Sequence, residues 1–137
     1  MQIIASFKYH VFFIGLLLLI PTISGAQTIV KTSNASISEE QAAKEIRRYI
    51  FLRTGTAPSI VTANTYTSFP SGDVIVVAEN NSSIITELKP DYGSVDAPSS
   101  DDRIGYLIKS ISKDSRNVLV ICGADSITTL RAAYRFA

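Results

Sequence analysis

The chain has 137 residues, of which 46% are apolar and 18% charged, a composition typical of one folded domain and not of a disordered chain. The only His (His10) and the only Met lie in the first 26 residues, and there is no Trp. Because Lys8 lies there too, residues 27–137 hold 12 basic and 12 acidic side chains. This remainder cannot form a Ser-His-Asp or Cys-His nucleophile or a His-ligated zinc site, and its neutral balance gives no electrostatic basis for binding nucleic acid.

The first 26 residues have the pattern of a secretory signal peptide. Lys8 precedes the apolar run 11–20 (VFFIGLLLLI), which would span about 15 Å as a helix and is therefore short for a membrane span. Residues 24–26 (Ser-Gly-Ala) are small, so we expect cleavage between Ala26 and Gln27. The protein is then secreted or periplasmic, without stable membrane insertion; the alternative is an uncleaved N-terminal anchor.

Strand and helix patterns alternate along the remaining chain. Ser38 stands three positions before Gln41, a capping-box spacing that predicts the start of a helix, and Gly55 is placed to end it. The apolar run 73–78 predicts a central strand that is buried on both faces. In order, we predict strand 27–32, helix 39–54, strand 58–62, strand 73–78, a short helix 84–88, a long loop 89–102, strand 103–112, strand 118–122 and helix 127–136.

This order predicts an α/β fold, an α+β sandwich in which a mixed sheet of about five strands carries two main helices on one face. The strands 103–112 and 118–122 are separated by about five polar residues, which indicates an antiparallel hairpin. The last helix ends at Ala137 without a capping residue. We therefore expect a chain that is truncated at its C-terminus, the alternative being a helix that frays at a natural end.

Few side chains are candidates for chemistry. Glu39 and Glu40 suit the positive end of a helix dipole, and Asp101 and Asp102 are neighbours in an extended segment whose side chains point apart, so neither pair predicts an acid–base couple. Cys122 lies in an apolar run and is expected to be a buried thiol, the alternative being a reactive or intermolecular one.

Three aromatic residues fall in predicted loops, namely Tyr66, Phe69 and Tyr92. Exposed rings of this kind stack on sugars, so they are candidate sugar contacts; ordinary packing beneath loops is the alternative. Asn34, Asn80 and Asn81 begin N-x-[ST] sequons, although Asn and Ser serve equally well in turns.

Six segments of the chain, taken in order, carry a resemblance to a known family: 41–50 (QAAKEIRRYI), 53–58 (RTGTAP), 75–78 (IVVA), 105–108 (GYLI), 120–125 (VICGAD) and 129–136 (TLRAAYRF). This ordered set resembles the N-terminal domain of glycoside hydrolases of the alpha-glucuronidase, bacterial beta-hexosaminidase and hyaluronidase-like families. The resemblance implies a small mixed sheet with helices on one face, which precedes a (β/α)₈ barrel. That barrel carries the catalytic carboxylates and is not in this chain, so no catalytic, cofactor or metal residue is carried over.

The resemblance implies a non-catalytic support domain, residues 27–137, of a secreted glycosidase that acts in polysaccharide or glycan breakdown. Its partner is then the downstream barrel of the parent chain, and this chain has no catalytic activity of its own. The alternatives are a free-standing carbohydrate-binding module, which would use the loop tyrosines, and a secreted protein-interaction module.

Overall fold

A computed structural model describes residues 27–93 and 105–137. The predicted signal peptide up to Ala26 and the pair Asp101-Asp102 lie outside the described residues. The described strands are β1 (Thr28–Lys31), β2 (Ser59–Thr62), β3 (Val74–Glu79), β4 (Tyr106–Lys113) and β5 (Arg116–Gly123), and the helices are α1 (Ile37–Thr54), α2 (Ser83–Leu88) and α3 (Ser126–Phe136). Single 3-10 turns occur at Tyr66–Ser68 and Lys89–Tyr92.

The five strands form one mixed sheet in the order β2-β1-β3-β5-β4. β1 is parallel to β2 and β3, β3 is parallel to β5, and only β4 runs antiparallel, paired with β5. The predicted mixed sheet of five strands is confirmed. β3 is the third of the five strands and five of its six residues are buried, so the predicted central, buried strand is confirmed too.

Layers of different construction cover the two faces of the sheet. α1 and α3 pack against each other and against one face, as predicted. The other face is covered by α2, by the 3-10 turns and by the side chains that they carry. The core of the first layer comprises Ile29, Ala42, Ala43, Ile46, Ile75, Val77, Ile121, Ala132 and Ala133, and that of the second includes Phe69, Val76, Ile84, Ile85, Leu88, Tyr92 and Cys122.

α1 begins two residues earlier than predicted. Its N-cap is Ser36, whose Oγ accepts from the backbone N–H of Glu39, while the Glu39 carboxylate accepts from the backbone N–H of Ser36. The prediction of Ser38 as the cap was wrong, because Ser36 and Glu39 have the same three-residue spacing and Glu completes a capping box with its charge at the helix N-terminus. The predicted end at Gly55 is confirmed by its left-handed φ of 76°.

The β4–β5 hairpin is tighter than predicted. Lys113 and Arg116 already pair across the strands, which leaves a turn of two residues, Asp114 and Ser115. Both have positive φ, 50° and 62°, as a type I′ turn requires. No helix among the described residues is both long and apolar enough to cross a bilayer.

Candidate functional site

The candidate site is a polar crevice of about 430 Å³ at the carboxyl edge of the sheet, between the ends of β1 and β3. From β1 the chain passes through α1 to β2 on one side, and from β3 it passes through α2 towards β5 on the other side. The two helices therefore leave to opposite faces, and a crevice opens where the strand order reverses. Its lining comprises Thr32, Asn34, Ser36, Glu39, Glu79, Asn81, Ser82 and Ser83.

Glu39 forms the inner wall of the crevice and is only 4% exposed. Besides closing the capping box with Ser36 at 2.7 Å, its carboxylate accepts from the backbone N–H of Glu79 at 2.9 Å. One side chain thus fixes the start of α1 to the end of β3, across 40 positions of sequence. The predicted structural role of Glu39 is confirmed, and the link to β3 adds to it.

Glu79 is the second carboxylate of the crevice and is half-buried. Burial raises its pKa above the usual value, and the nearby carboxylates of Glu39 and Asp125 raise it further. A half-buried acid beside two others is an electrostatically unfavourable arrangement, and such arrangements concentrate at functional sites.

The remaining lining groups can both donate and accept hydrogen bonds. The hydroxyls of Ser36 and Ser82 accept from the backbone N–H groups of Glu39 and Ile85, and each keeps its own O–H to donate. Asn34 and Asn81 are exposed at the rim. Such a lining suits the binding of a polar ligand. Across residues 27–93 and 105–137, no three His, Cys, Asp or Glu side chains are grouped as metal ligands.

The aromatic residues predicted as sugar contacts lie elsewhere, against the layer that contains α2. Tyr92 is 1% exposed and Phe69 is buried, which is the packing beneath loops given as the alternative. Tyr66 is half-buried, donates to the carbonyl of Lys113 at 3.0 Å and contacts the edge of Phe69 at 5.2 Å between centroids. Lys113 Nζ also lies 5.3 Å from the Tyr66 ring centroid, so this ring already has a cationic partner.

Cys122 is buried, as predicted, and burial raises the pKa of its thiol to about 11. Its neighbour is the hydroxyl of Tyr92, whose oxygen has no conventional hydrogen-bond partner among the described residues. Because a thiol is only a weak donor and acceptor, this contact is a packing contact in the core and not a reactive site.

The outer face of α1 and α3 is a second surface of interest. All the exposed large apolar side chains of the described residues belong to these two helices: Ile37, Phe51, Leu52, Ile127 and Tyr134. A shallow depression beside Phe51 is bounded by Lys44, Arg47, Arg48 and Ala57. We call this surface the helix face.

Sequence reasoning did not single out Glu79 or Thr32, and it considered Asn81 only as the start of a sequon. The available signal was the position of polar residues directly after the strands that end at Lys31 and Glu79. That signal has meaning only once β1 and β3 are known to be parallel neighbours, and the pairing of these two strands was not predicted. No protein-family model matches the chain, and no curated protein matches it.

Proposed function

We propose that residues 27–137 form the non-catalytic support domain of a secreted glycoside hydrolase, and that the helix face packs against the catalytic barrel of the parent protein. The observation that carries the proposal is the concentration of exposed apolar side chains on α1 and α3. Ile37 is 89% exposed, Leu52 65% and Ile127 58%. The other large apolar side chains of residues 27–93 and 105–137 are buried or half-buried, and a face of this kind is typical of a surface that contacts another folded unit.

The composition of the helix face supports this role. Aromatic residues and Arg are enriched where proteins meet, and here Arg48 stands three positions before Phe51 on α1, and Arg131 three positions before Tyr134 on α3. Residues three apart share one side of a helix, so each helix carries an Arg and an aromatic side chain on the same side.

The described carboxylates support a non-catalytic role. Glu39 and Asp125 complete helix caps. Asp73 accepts from the backbone N–H of Asn117 at 3.0 Å and from its side-chain amide at 3.2 Å. Glycosidases need two carboxyl groups that flank a sugar-sized cleft and remain available to it. Among the described carboxylates, Glu39 and Glu79 share one crevice, but Glu39 is occupied by two backbone N–H groups.

The observed element order also supports the proposal. A helix ends at Gly55, a strand follows at Ser59, the central strand β3 and the β4–β5 hairpin come next, and Asp125 caps the last helix. These elements and the turns between them hold the six segments that resemble the N-terminal domain of those glycoside hydrolases. The hexosaminidase-like fold is therefore part of the proposal.

Two measurements test this function. The coding sequence should continue past Ala137 into several hundred residues with alternating strand and helix patterns, and the purified domain should not hydrolyse aryl-glycosides. A stop codon directly after Ala137, or turnover by the domain alone, contradicts the proposal. A stop codon would favour the free-standing binding or interaction module.

The helix face has its own test. The isolated domain should self-associate through the uncovered face, and Leu52→Glu should reduce that association in sedimentation velocity. Ser71→Glu, an equal charge change at an exposed position before β3, is the matched control and should leave association unchanged. If the two variants reduced self-association equally, the helix face would not be the surface through which the domain associates.

A further inference from the structure

We propose that the crevice between β1 and β3 binds a neutral, hydroxyl-rich ligand of the size of a single sugar ring. The inference goes beyond the support role, because the crevice is lined by polar residues and by none of the exposed apolar side chains that define the helix face. Glu39 and Phe51 are separated by 12 positions of α1, or about 18 Å along the helix axis. The crevice and the Phe51 end of the helix face can therefore be occupied at once.

The position of the crevice follows from the topology. In open sheets with helices on both faces, ligands bind outside the carboxyl ends of the strands, where the strand order reverses. Here that point lies between β1 and β3, and the crevice is located there. Its volume of about 430 Å³ lies within the usual range of small-molecule sites, roughly 300–1,000 Å³.

The lining matches the chemistry of hydroxyl groups, each of which donates one hydrogen bond and accepts others. Glu79 supplies a carboxylate acceptor, and the amides of Asn34 and Asn81 each supply donors and an acceptor. The O–H groups of Ser36 and Ser82 are left to donate, since their oxygens serve the helix caps. A ring that carries several hydroxyls can use these groups together, whereas an apolar ligand would leave them unsatisfied.

The charges of the crevice disfavour an anion. The start of α1 would attract a phosphate or carboxylate, but Glu39 already occupies it and accepts from the N–H groups of Ser36 and Glu79. Glu79 adds a second negative charge to the same lining. A phosphate or a sugar acid would therefore meet two carboxylates, so a neutral sugar is the favoured ligand.

The experiment is a titration of the purified, isotopically labelled protein with neutral sugars, followed by the backbone amide signals in NMR. The probes are glucose, galactose, mannose and N-acetylglucosamine, with glucuronate and inorganic phosphate as anionic counterparts. We expect saturable shifts of residues 32–36 and 79–83 with at least one neutral sugar, at roughly millimolar affinity. Glucuronate should bind at least five-fold more weakly than glucose, or not at all.

Because Asn34 and Asn81 begin sequons at the rim, the protein should be produced in a host without N-glycosylation. Glu79→Gln keeps the size of the side chain and removes its charge, and it should weaken binding of the neutral sugar at least five-fold. Glu45→Gln, on α1 outside the crevice, is the matched control and should bind normally. The amide spectrum of each variant shows whether it is folded.

Three outcomes would overturn the proposal: no shift of the crevice amides by any neutral sugar up to about 100 mM, tighter binding of phosphate or glucuronate, or binding that Glu79→Gln leaves unchanged. None of these depends on whether a barrel follows Ala137. A failure of the sugar site is therefore distinguishable from a failure of the support role.

Discussion

The two layers that cover the sheet solve the same packing problem in different ways. The α1–α3 layer uses long, capped helices and small contact residues: Ala42, Ala43, Ala132 and Ala133 are all fully buried. The opposite layer has a six-residue helix and two 3-10 turns, and it fills its space with large side chains such as Tyr92. The packing of the first layer therefore depends on the close approach of helix and strand backbones, and the packing of the second depends on the volume of its side chains.

Gly123→Ala should break the helix layer and have the largest effect. A Cβ there would lie 2.2 Å from the backbone N of Thr129 and 2.4 Å from the backbone C of Thr128, so α3 must move as a whole. We expect a loss of about 3 kcal/mol or more in the free energy of unfolding, measured by chemical denaturation.

The control for that variant is Gly72→Ala. Gly72 has open space around it and a φ of +88°, so only backbone strain opposes an alanine, at a cost of about 1 kcal/mol. If Gly123→Ala costs no more than this control, the close approach of α3 to β5 does not limit stability.

Tyr92 provides the corresponding test in the second layer. Tyr92→Ala removes a buried ring and should cost about 3–4 kcal/mol. Tyr92→Phe keeps the ring and removes a hydroxyl that lacks a conventional partner, so it should change stability by less than about 1 kcal/mol. Thermal or chemical denaturation measures both; a large loss with Phe would show that the contact with the Cys122 thiol is worth more than packing.

The element order was enough to predict the mixed sheet and its two main helices on one face, and the boundaries predicted correctly are those fixed by neighbours along the chain. The end of α1 at Gly55, for example, follows from one residue and its next few neighbours. Local patterns cannot choose between equivalent signals, which is why Ser38 was predicted in place of Ser36.

The candidate site depends on contacts between distant segments and was therefore not predicted. The bond from Glu79 N–H to Glu39 joins residues 40 positions apart, and the crevice exists because β1 and β3 are neighbours. The burial of Tyr92 is of the same kind. Loop composition made that ring a candidate for solvent exposure, while the fold places it under the sheet.

The caps of the two layers differ in their expected response to pH. Hydrogen bonds from Thr128 lower the pKa of Asp125, so this cap stabilises the fold above the unfolded pKa and stops doing so as pH falls through the lowered folded value. Asp125→Ala should cost about 1 kcal/mol at pH 7, and this cost should shrink towards pH 2. Ser82→Ala, at the cap of α2, should cost a similar amount at every pH in the same denaturation series, because its hydroxyl does not titrate. If the stability losses of the two variants depend on pH in the same way, the ionised Asp125 carboxylate is not what makes the α3 cap stabilising.

The smallest change in stability is expected for Glu79→Gln, and its sign shows whether Glu79 stabilises the fold. The pKa of Glu79 is raised, so its ionised form is disfavoured in the folded state, and it weakens stability above its unfolded pKa; the penalty disappears at lower pH. Glu79→Gln should therefore be slightly more stable than the unaltered protein at pH 7 and equal to it near pH 3, as measured by the unfolding midpoint.

Glu39→Gln should instead destabilise the protein at pH 7, by about 1 kcal/mol, because it weakens the cap of α1 and the hydrogen bond to β3.

Opposite changes in stability for Glu79→Gln and Glu39→Gln would show that the two acids of the crevice have different roles. A carboxylate whose removal stabilises the fold is not there for stability, and natural proteins retain such groups where function needs them. If Glu79→Gln both stabilises the domain and weakens sugar binding, Glu79 is a binding residue held at a cost to the fold. If it destabilises the domain as Glu39→Gln does, the crevice is a structural junction between α1 and β3.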